Sequence, residues 1–260
     1  MISIIIPTLT NVTGLKNLLY YLKKIPYEII IIDNQPNDKK MALIKKIIKK
    51  NLHYYPQKKN LGFAKAVNLG AKQAQSQWLL ILNDDIELPP KINLSSVFNK
   101  IINFANANNL VAISPVLKDK KGRIENVGYQ VLPYGKIRLI KKIEEKNHSL
   151  DGLTAACLFV RKDVFSKVGD FDSRFFAYLE DVDFFLTLKE KGYRFGIYEK
   201  FSVVHNQMTT GKTLSWRKNW HDFKNWILII LKHPKKFRLN YQLFIERLKN
   251  LWGVIKNIKN

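Results

Sequence analysis

Cysteine is nearly absent. Cys157 is the only one, so no disulfide can form within the chain, and no Cys and His spacing fits a structural zinc site. It sits in the apolar run Ala155–Val160 and reads as a core residue rather than a reactive thiol. Long hydrophobic runs are also missing. The longest near the C-terminus, Trp226–Leu231, falls far short of the roughly 20 residues that span a bilayer. The first residues enter a strand pattern at once, without the basic and apolar regions of a signal peptide, which predicts a cytoplasmic chain. No G-x-G-x-x-G is present, so dinucleotide binding lacks its phosphate loop, and there is no serine nucleophile elbow. Gly211-Lys212-Thr213 imitates the end of a P-loop, but the first glycine of that motif would fall on Asn206.

Acidic residues are scarce. There are 21 Asp and Glu against 44 Lys and Arg, a formal charge of +23. Compositional bias accounts for part of this excess, yet such a surface favours anionic partners: nucleic acid, anionic lipid or phosphorylated small molecules. With 46% hydrophobic and 12% aromatic residues in 260, the chain can build the core of one large domain, and global disorder is excluded.

The first half alternates strand and helix patterns. Ile2–Ile6, Glu28–Ile32, His53–Tyr55 and Trp78–Leu82 read as buried strands. Between them lie a Leu15, Leu18, Leu19, Leu22 stripe, a Met41, Ile44, Ile47, Ile48 face, and a helix over Leu61–Ala74 with Phe63, Ala64, Val67 and Ala71 inward. This order demands a parallel sheet covered by helices on both faces. The second half is less regular. A helix is expected over Asn93–Asn109, strands over Val111–Val116 and Leu153–Val160, and strand and turn over Gly122–Gly135. A helix over Val182–Lys191 and short strands at Phe195–Ile197 and Ser202–His205 complete it. After Gly211 the composition shifts. Twelve Lys or Arg stand against Asp222 and Glu246, Trp216, Trp220, Phe223, Ile227 and Ile230 share one helical face, and Tyr241, Phe244, Leu248, Leu251, Ile255 and Ile258 share another beyond His233-Pro234. Such basic amphipathic helices suit a membrane interface, or else pack on the preceding domain.

In an open parallel sheet, ligands bind beyond the carboxyl ends of the strands. Four polar clusters fall there: Pro7-Thr8, Asp33-Asn34, Asn60-Leu61-Gly62 and Asn83-Asp84-Asp85. They offer groups for a base and ribose, a glycine for close backbone approach, and carboxylates that can hold Mg²⁺ or Mn²⁺ with a substrate diphosphate. A fifth cluster, Glu180-Asp181-Val182-Asp183, follows the aromatic stretch Phe175, Phe176, Tyr178, where a carboxylate can act as a general base. His205 ends an apolar strand, where it could complete a metal site.

Taken in order, Ile4-Ile5-Ile6-Pro7-Thr8, Ile31-Ile32-Asp33-Asn34, Asn60-Leu61-Gly62-Phe63-Ala64, Leu82-Asn83-Asp84-Asp85, Gly169-Asp170-Phe171-Asp172 and Phe176-Ala177-Tyr178-Leu179-Glu180-Asp181-Val182-Asp183 resemble family 2 glycosyltransferases of the GT-A fold, in particular rhamnosyltransferase-like members. The resemblance covers roughly residues 1–211. It implies an α/β, Rossmann-like, mostly parallel sheet flanked by helices, with residues 1–90 as the nucleotide-binding half, 91–211 as the acceptor and catalytic half, and 212–260 as a basic amphipathic helical tail. It also implies that Pro7, Thr8, Asp33 and Asn34 hold the nucleoside and that Asn60, Gly62 and Asn68 line the donor pocket. Asp85 matches the last acid of the family's D-x-D motif and would bind the metal; Asn83 replaces the first, and Asp84 stands between. Asp181 matches the catalytic base, Glu180 its acidic neighbour, and His205 a histidine that assists the metal.

The activity implied is inverting, metal-dependent transfer from a UDP- or dTDP-sugar, dTDP-rhamnose among them, to a glycan or lipid-linked acceptor, at the inner face of the cell membrane. The Q-x-x-R-W motif of processive synthases is absent, which favours adding one sugar or a few. Two other classes compete: a sugar nucleotidyltransferase, which would want an early Gly-rich phosphate loop, and a non-enzymatic basic binder of nucleic acid or membrane. The acids gathered at the strand ends oppose a nucleic acid partner.

Overall fold

The computed structural model describes residues 1–47, 50–144, 150–206, 215–237 and 241–258. Ile48 and Gly211-Lys212-Thr213 lie outside them, as do the side chains of Trp216 and Ile258. In chain order the strands are β1 (Ile2–Thr8), β2 (Glu28–Asp33), β3 (Leu52–Pro56), β4 (Trp78–Leu82), β5 (Ile86–Glu87), β6 (Ala112–Lys118), β7 (Ile124–Asn126), β8 (Tyr129–Leu132), β9 (Lys136–Leu139), β10 (Cys157–Arg161) and β11 (Phe195–His205). The helices are α1 (Val12–Leu22), α2 (Asp38–Ile47), α3 (Phe63–Gln73), α4 (Leu94–Ala107), α5 (Lys162–Lys167), α6 (Glu180–Glu190), α7 (Ser215–Lys232) and α8 (Tyr241–Ile258).

Short, mostly apolar strands separated by amphipathic helices leave one solution, strands side by side with helices on both faces. The sheet runs β3-β2-β1-β4-β10-β6-β11-β5, with β7 pairing β6. The first four strands are parallel, in register from Ser3↔Glu28 to Thr8↔Asp33. Strand β10 is antiparallel to both its neighbours, and β6 and β11 are again parallel. One face is packed by α1 and α4 through Leu15, Leu18, Phe98 and Ile101, the other by α3 and α6 through Ala64, Val67, Phe184 and Phe185. Cys157 is buried at the sheet's centre, as expected.

Several boundaries differ from expectation. The two strands expected at Phe195–Ile197 and Ser202–His205 are one, β11, interrupted by a register shift between Tyr198 and Ser202. The apolar run Leu153–Val160 becomes a strand only from Cys157. In α2 the inward face is set by Lys40 and Ile44, while Met41 is exposed.

The tail corrects the helical phase read from sequence. The buried face of α7 carries Asn225, Trp226 and Ile229, whereas Trp220 and Ile227 are exposed. Trp226 and Ile229 pack with Tyr129, Val131, Phe175, Val182 and Leu186. Each large aliphatic side chain buried there is worth about 1.5–3 kcal/mol. Ion pairs reinforce the contact. Lys232 Nζ lies 2.6 Å from Asp183 and 2.9 Å from Asp172, and Lys236 Nζ lies 2.7 Å from Asp151. His233, buried, reaches Asp183 at 3.0 Å and Glu190 at 2.8 Å. The basic residues at this end of the helix therefore dock it. Helix α8 packs on α7 but leaves Tyr241, Phe244, Leu248, Trp252 and Ile255 exposed along one stripe.

Candidate active site

The parallel strands all deliver their C-terminal ends to one edge, and the polar clusters collect there. At the end of β1 the Thr8 hydroxyl donates to Asp84 Oδ2 at 2.6 Å, and the Asn11 side-chain amide donates to the Asp84 carbonyl at 2.9 Å. Pro7 pairs with Ile32 of β2 in the same register. Burial pushes the Asp84 carboxyl up to about 6, with the Thr8 and Asn11 bonds pulling the other way.

Asp33 ends β2 fully buried, held by Lys40 Nζ, by the Tyr54 hydroxyl at 2.7 Å and by the Gln35 amide at 3.0 Å. Asn34 bridges to the next cluster: its side chain donates to the Gly62 carbonyl at 3.3 Å and accepts from the Leu61 amide at 3.2 Å. Asn60 accepts from the Gly62 amide at 2.9 Å. Gly62 has φ +81°, and a Cβ there would meet the Phe176 carbonyl at 2.1 Å, so only glycine fits. That carbonyl also accepts from the Phe63 amide at 2.7 Å, which joins the start of α3 to the aromatic loop before α6. Asn68 stands apart from this group. Both ends of its amide engage the Phe171 backbone, at 2.7 and 3.1 Å.

The pairing of β5 with β11 sets His205 opposite Ile86, one residue after Asp85. His205 Nε2 consequently lies 3.4 Å from Asp85 Oδ2, and Nδ1 lies 3.2 Å from Glu125 Oε1 on β7. Burial opposes charge on this imidazole, but its two carboxylate partners outweigh it and push the ring up to about 9. Asn83, half-buried, has a buried side-chain oxygen with no hydrogen-bond partner among the described residues. Among the described residues no group of three or more His, Cys, Asp or Glu side chains is arranged to hold a metal ion. Asp85 and His205 are two ligands of suitable chemistry, with Glu125 placed to accept Nδ1–H and orient the ring. Mg²⁺ and Mn²⁺ take one or two carboxylates and complete the shell with phosphate oxygens and water; Asp85 fits that use, while the imidazole of His205 is not a usual ligand of Mg²⁺.

The second acidic cluster is positioned by strain. Tyr178 and Leu179 have φ of 69° and 68°, a left-handed pair without glycine, costing on the order of 1–3 kcal/mol each. They turn the chain so that Glu180 and Asp181 open α6. Asp181 accepts from the Val182 amide at 2.8 Å and the Ala155 amide at 3.2 Å. The next carbonyl, Ala156, accepts from the Asn83 amide at 2.9 Å. Residues 155–156 thus tie the two acidic clusters together. Glu180 Oε2 is buried with no hydrogen-bond partner among the described residues. Burial first, and then the charge of Asp181, hold the Glu180 carboxyl well above the usual range; burial does the same for Asp181.

Protons retained by this pair in the fold leave the unfolded chain near pH 4. Its contribution to stability is therefore lost as pH rises from about 4 through the raised range. Urea unfolding should show a decline from pH 4 toward pH 8 that flattens in Glu180→Gln; an identical slope in the variant would contradict the assignment.

Sequence reasoning missed Glu125, Lys40 and Asn225. Each is brought in by long-range pairing or helix phase, and no local pattern marks it.

Wider comparison fits this arrangement. The sequence profile described as glycosyl transferase family 2 matches residues 3–169. The N-acetylglucosaminyl-diphospho-decaprenol L-rhamnosyltransferase of Mycobacterium tuberculosis is 23% identical over 244 residues, covering 82% of this chain and 78% of that protein. The low-salt glycan biosynthesis hexosyltransferase Agl10 of Haloferax volcanii is 24% identical over 217 residues, covering 79% and 67%. Among solved structures, the mannosyltransferase PcManGT of Pyrobaculum calidifontis, in complex with GDP-Man and Mn²⁺, superposes with a TM-score of 0.64 at 14% identity over 97% of this chain and 71% of its own. TarS 1–349 of S. aureus gives 0.63 at 15%, over 98% and 70%. The sheet and its flanking helices are those of a GT-A glycosyltransferase. With the strand-end clusters in place and the profile spanning them, the chain belongs to glycosyl transferase family 2 and is a rhamnosyltransferase-like glycosyltransferase.

Proposed function

We propose that the chain transfers a sugar, with inversion, from a UDP- or dTDP-sugar such as dTDP-rhamnose to a hydroxyl of a glycan or lipid-linked acceptor in cell-envelope polysaccharide synthesis. The observation that carries this is the convergence of Asp85–His205 and Glu180–Asp181 on one sheet edge, joined through Ala155–Ala156. The names of the mycobacterial and haloarchaeal relatives support the transfer and the acceptor class.

Residues 1–90 form the donor half in this account. Pro7, Thr8, Asn34, Asn60, Gly62, Asn83 and Asp84 face the nucleoside diphosphate. Asp33 and Asn68 act by holding the loops around it. Residues 91–211 supply the acceptor side. Asp181 takes the proton of the acceptor hydroxyl as that oxygen bonds to the anomeric carbon. The bond from that carbon to the phosphate oxygen breaks, and the nucleoside diphosphate leaves. Glu180, with its unpartnered oxygen, orients the acceptor. A divalent ion, Mn²⁺ or Mg²⁺, would be held by Asp85 and His205 and would offset negative charge on the diphosphate.

Thermal melting with UDP, dTDP and GDP, with and without Mn²⁺, tests the donor site. One nucleotide should stabilise the chain in the presence of metal, by about 2.7 kcal/mol at a hundredfold excess over its Kd, and Asp85→Ala should abolish the metal-dependent part. Equal stabilisation in Asp85→Ala would remove Asp85 from the metal site.

Residues 212–260 would rest on the membrane as a peripheral anchor. Support comes from the exposed stripe of α8, which includes Trp252, and from the tail's cations other than the docking Lys232 and Lys236. No helix among the described residues is long and apolar enough to cross a membrane. Sedimentation with anionic vesicles at low salt should carry the protein down, and neutral vesicles should not; indifference to both would sink this part of the proposal.

A further inference from the structure

The profile match stops at residue 169, yet the contacts that shape the loop before Asp181 reach beyond it. The loop 176–179 is held from two sides. On one, the Phe176 carbonyl accepts from Phe63 at the start of α3. On the other, the Asn225 side chain, fully buried in α7, donates to the Ala177 carbonyl at 2.8 Å and to the Tyr178 carbonyl at 2.7 Å. These are the two carbonyls just before the left-handed Tyr178–Leu179 turn completes. A turn with no glycine relaxes unless its surroundings hold it. One side chain thus holds both carbonyls. The other end of the same amide, Oδ1, is buried without a hydrogen-bond partner among the described residues. A polar side chain kept in this interface with its own oxygen unmet is explained by what its donors hold, the two carbonyls of the turn, which an apolar residue would leave unsatisfied. One turn earlier on α7, His221 stacks on the Phe176 ring, centroids 5.3 Å apart.

We propose that Asn225 is a positioning residue for the transfer reaction: its two N–H donors fix the Ala177–Leu179 turn so that Glu180 and Asp181 face the acceptor, which makes helix α7 a working part of the active site. This deepens the functional reading above and rests on it for the role of Asp181.

The test uses the full chain and three variants. Asn225→Ala removes both donors. Ile229→Val trims a fully buried neighbour on the same helix face, in the cluster on which Leu179 packs, without removing any hydrogen bond to the loop. Asp181→Asn controls for the base. Three quantities are read: kcat and KM for sugar transfer, the Kd for nucleoside diphosphate with Mn²⁺, and amide hydrogen exchange of residues 176–183. Asn225→Ala is expected to lower kcat about 100-fold, the scale of a small misplacement of a reacting group, with the nucleotide Kd unchanged and faster exchange confined to 176–183. Ile229→Val is expected to lower the Tm while leaving kcat within about twofold.

Unchanged exchange at 176–183 in Asn225→Ala overturns the clamp. So does a kcat loss no larger than that of Ile229→Val at the same folded fraction. If exchange rises and kcat falls while Asp181→Asn transfers at the wild-type rate, the clamp stands and it is the assignment of the base that fails.

Discussion

Asp181→Asn is expected to lower kcat for sugar transfer by about 10²- to 10⁴-fold, the usual range for loss of a general base, with nucleotide affinity preserved. The amide is isosteric, so an oxygen can still accept from the Ala155 or Val182 amide and the helix start survives. What is lost is the ability to take a proton. Burial keeps the carboxyl above its ordinary range, which places its basicity closer to neutral pH than that of an exposed aspartate. The loss should therefore shrink as pH falls and the wild-type Asp181 takes up its proton. A variant retaining more than about a tenth of wild-type kcat would assign the base elsewhere, Glu180 first.

Lys40→Met should destabilise the fold by about 3–5 kcal/mol in urea unfolding, although it touches no proposed reacting group. Lys40 and Asp33 are both wholly inaccessible and form an ion pair at the end of β2. The ammonium also donates to the Leu9 carbonyl at 2.7 Å. Methionine keeps the stem of the side chain but leaves the Asp33 carboxylate buried with only the Tyr54 hydroxyl and the Gln35 amide. Removing one partner of a buried pair costs more than the pair contributes, because the remaining charge is stranded. A loss under about 1 kcal/mol would mean that the crevice relaxes to admit water. Asp33, read from sequence as a nucleoside ligand, has its carboxylate wholly buried and engaged by Lys40 and the Tyr54 hydroxyl.

The first half of the fold is legible because its signals are local. Ile2–Ile6, broken only by Ser3, and Trp78–Leu82 are apolar runs, and the four leucines of α1 fall on one face; the structure buries all of them. The strand-end clusters follow from the same alternation. What stayed hidden depends on pairing across long separations or on which face of a helix turns inward. Glu125 meets His205 only because β7 and β11 flank β6 on its two edges. Lys40 is buried by a carboxylate seven residues away, against every expectation for lysine. In α7 the helix is obvious, but Trp, Phe and Ile occur around most of its circumference, so hydrophobic periodicity does not set the phase; Asn225, a polar residue, marks the true inner face.

The most direct test is sugar transfer itself. The purified chain would be incubated with Mn²⁺, a panel of UDP-, dTDP- and GDP-sugars, and lipid-linked N-acetylglucosaminyl diphosphate as acceptor, with Asp85→Ala and Asp181→Asn alongside. The account predicts metal-dependent release of one nucleoside diphosphate matched by a glycosylated acceptor of inverted anomeric configuration, and loss of both in each variant. Transfer of equal rate in Asp85→Ala and Asp181→Asn, or a product with retained configuration, would contradict it.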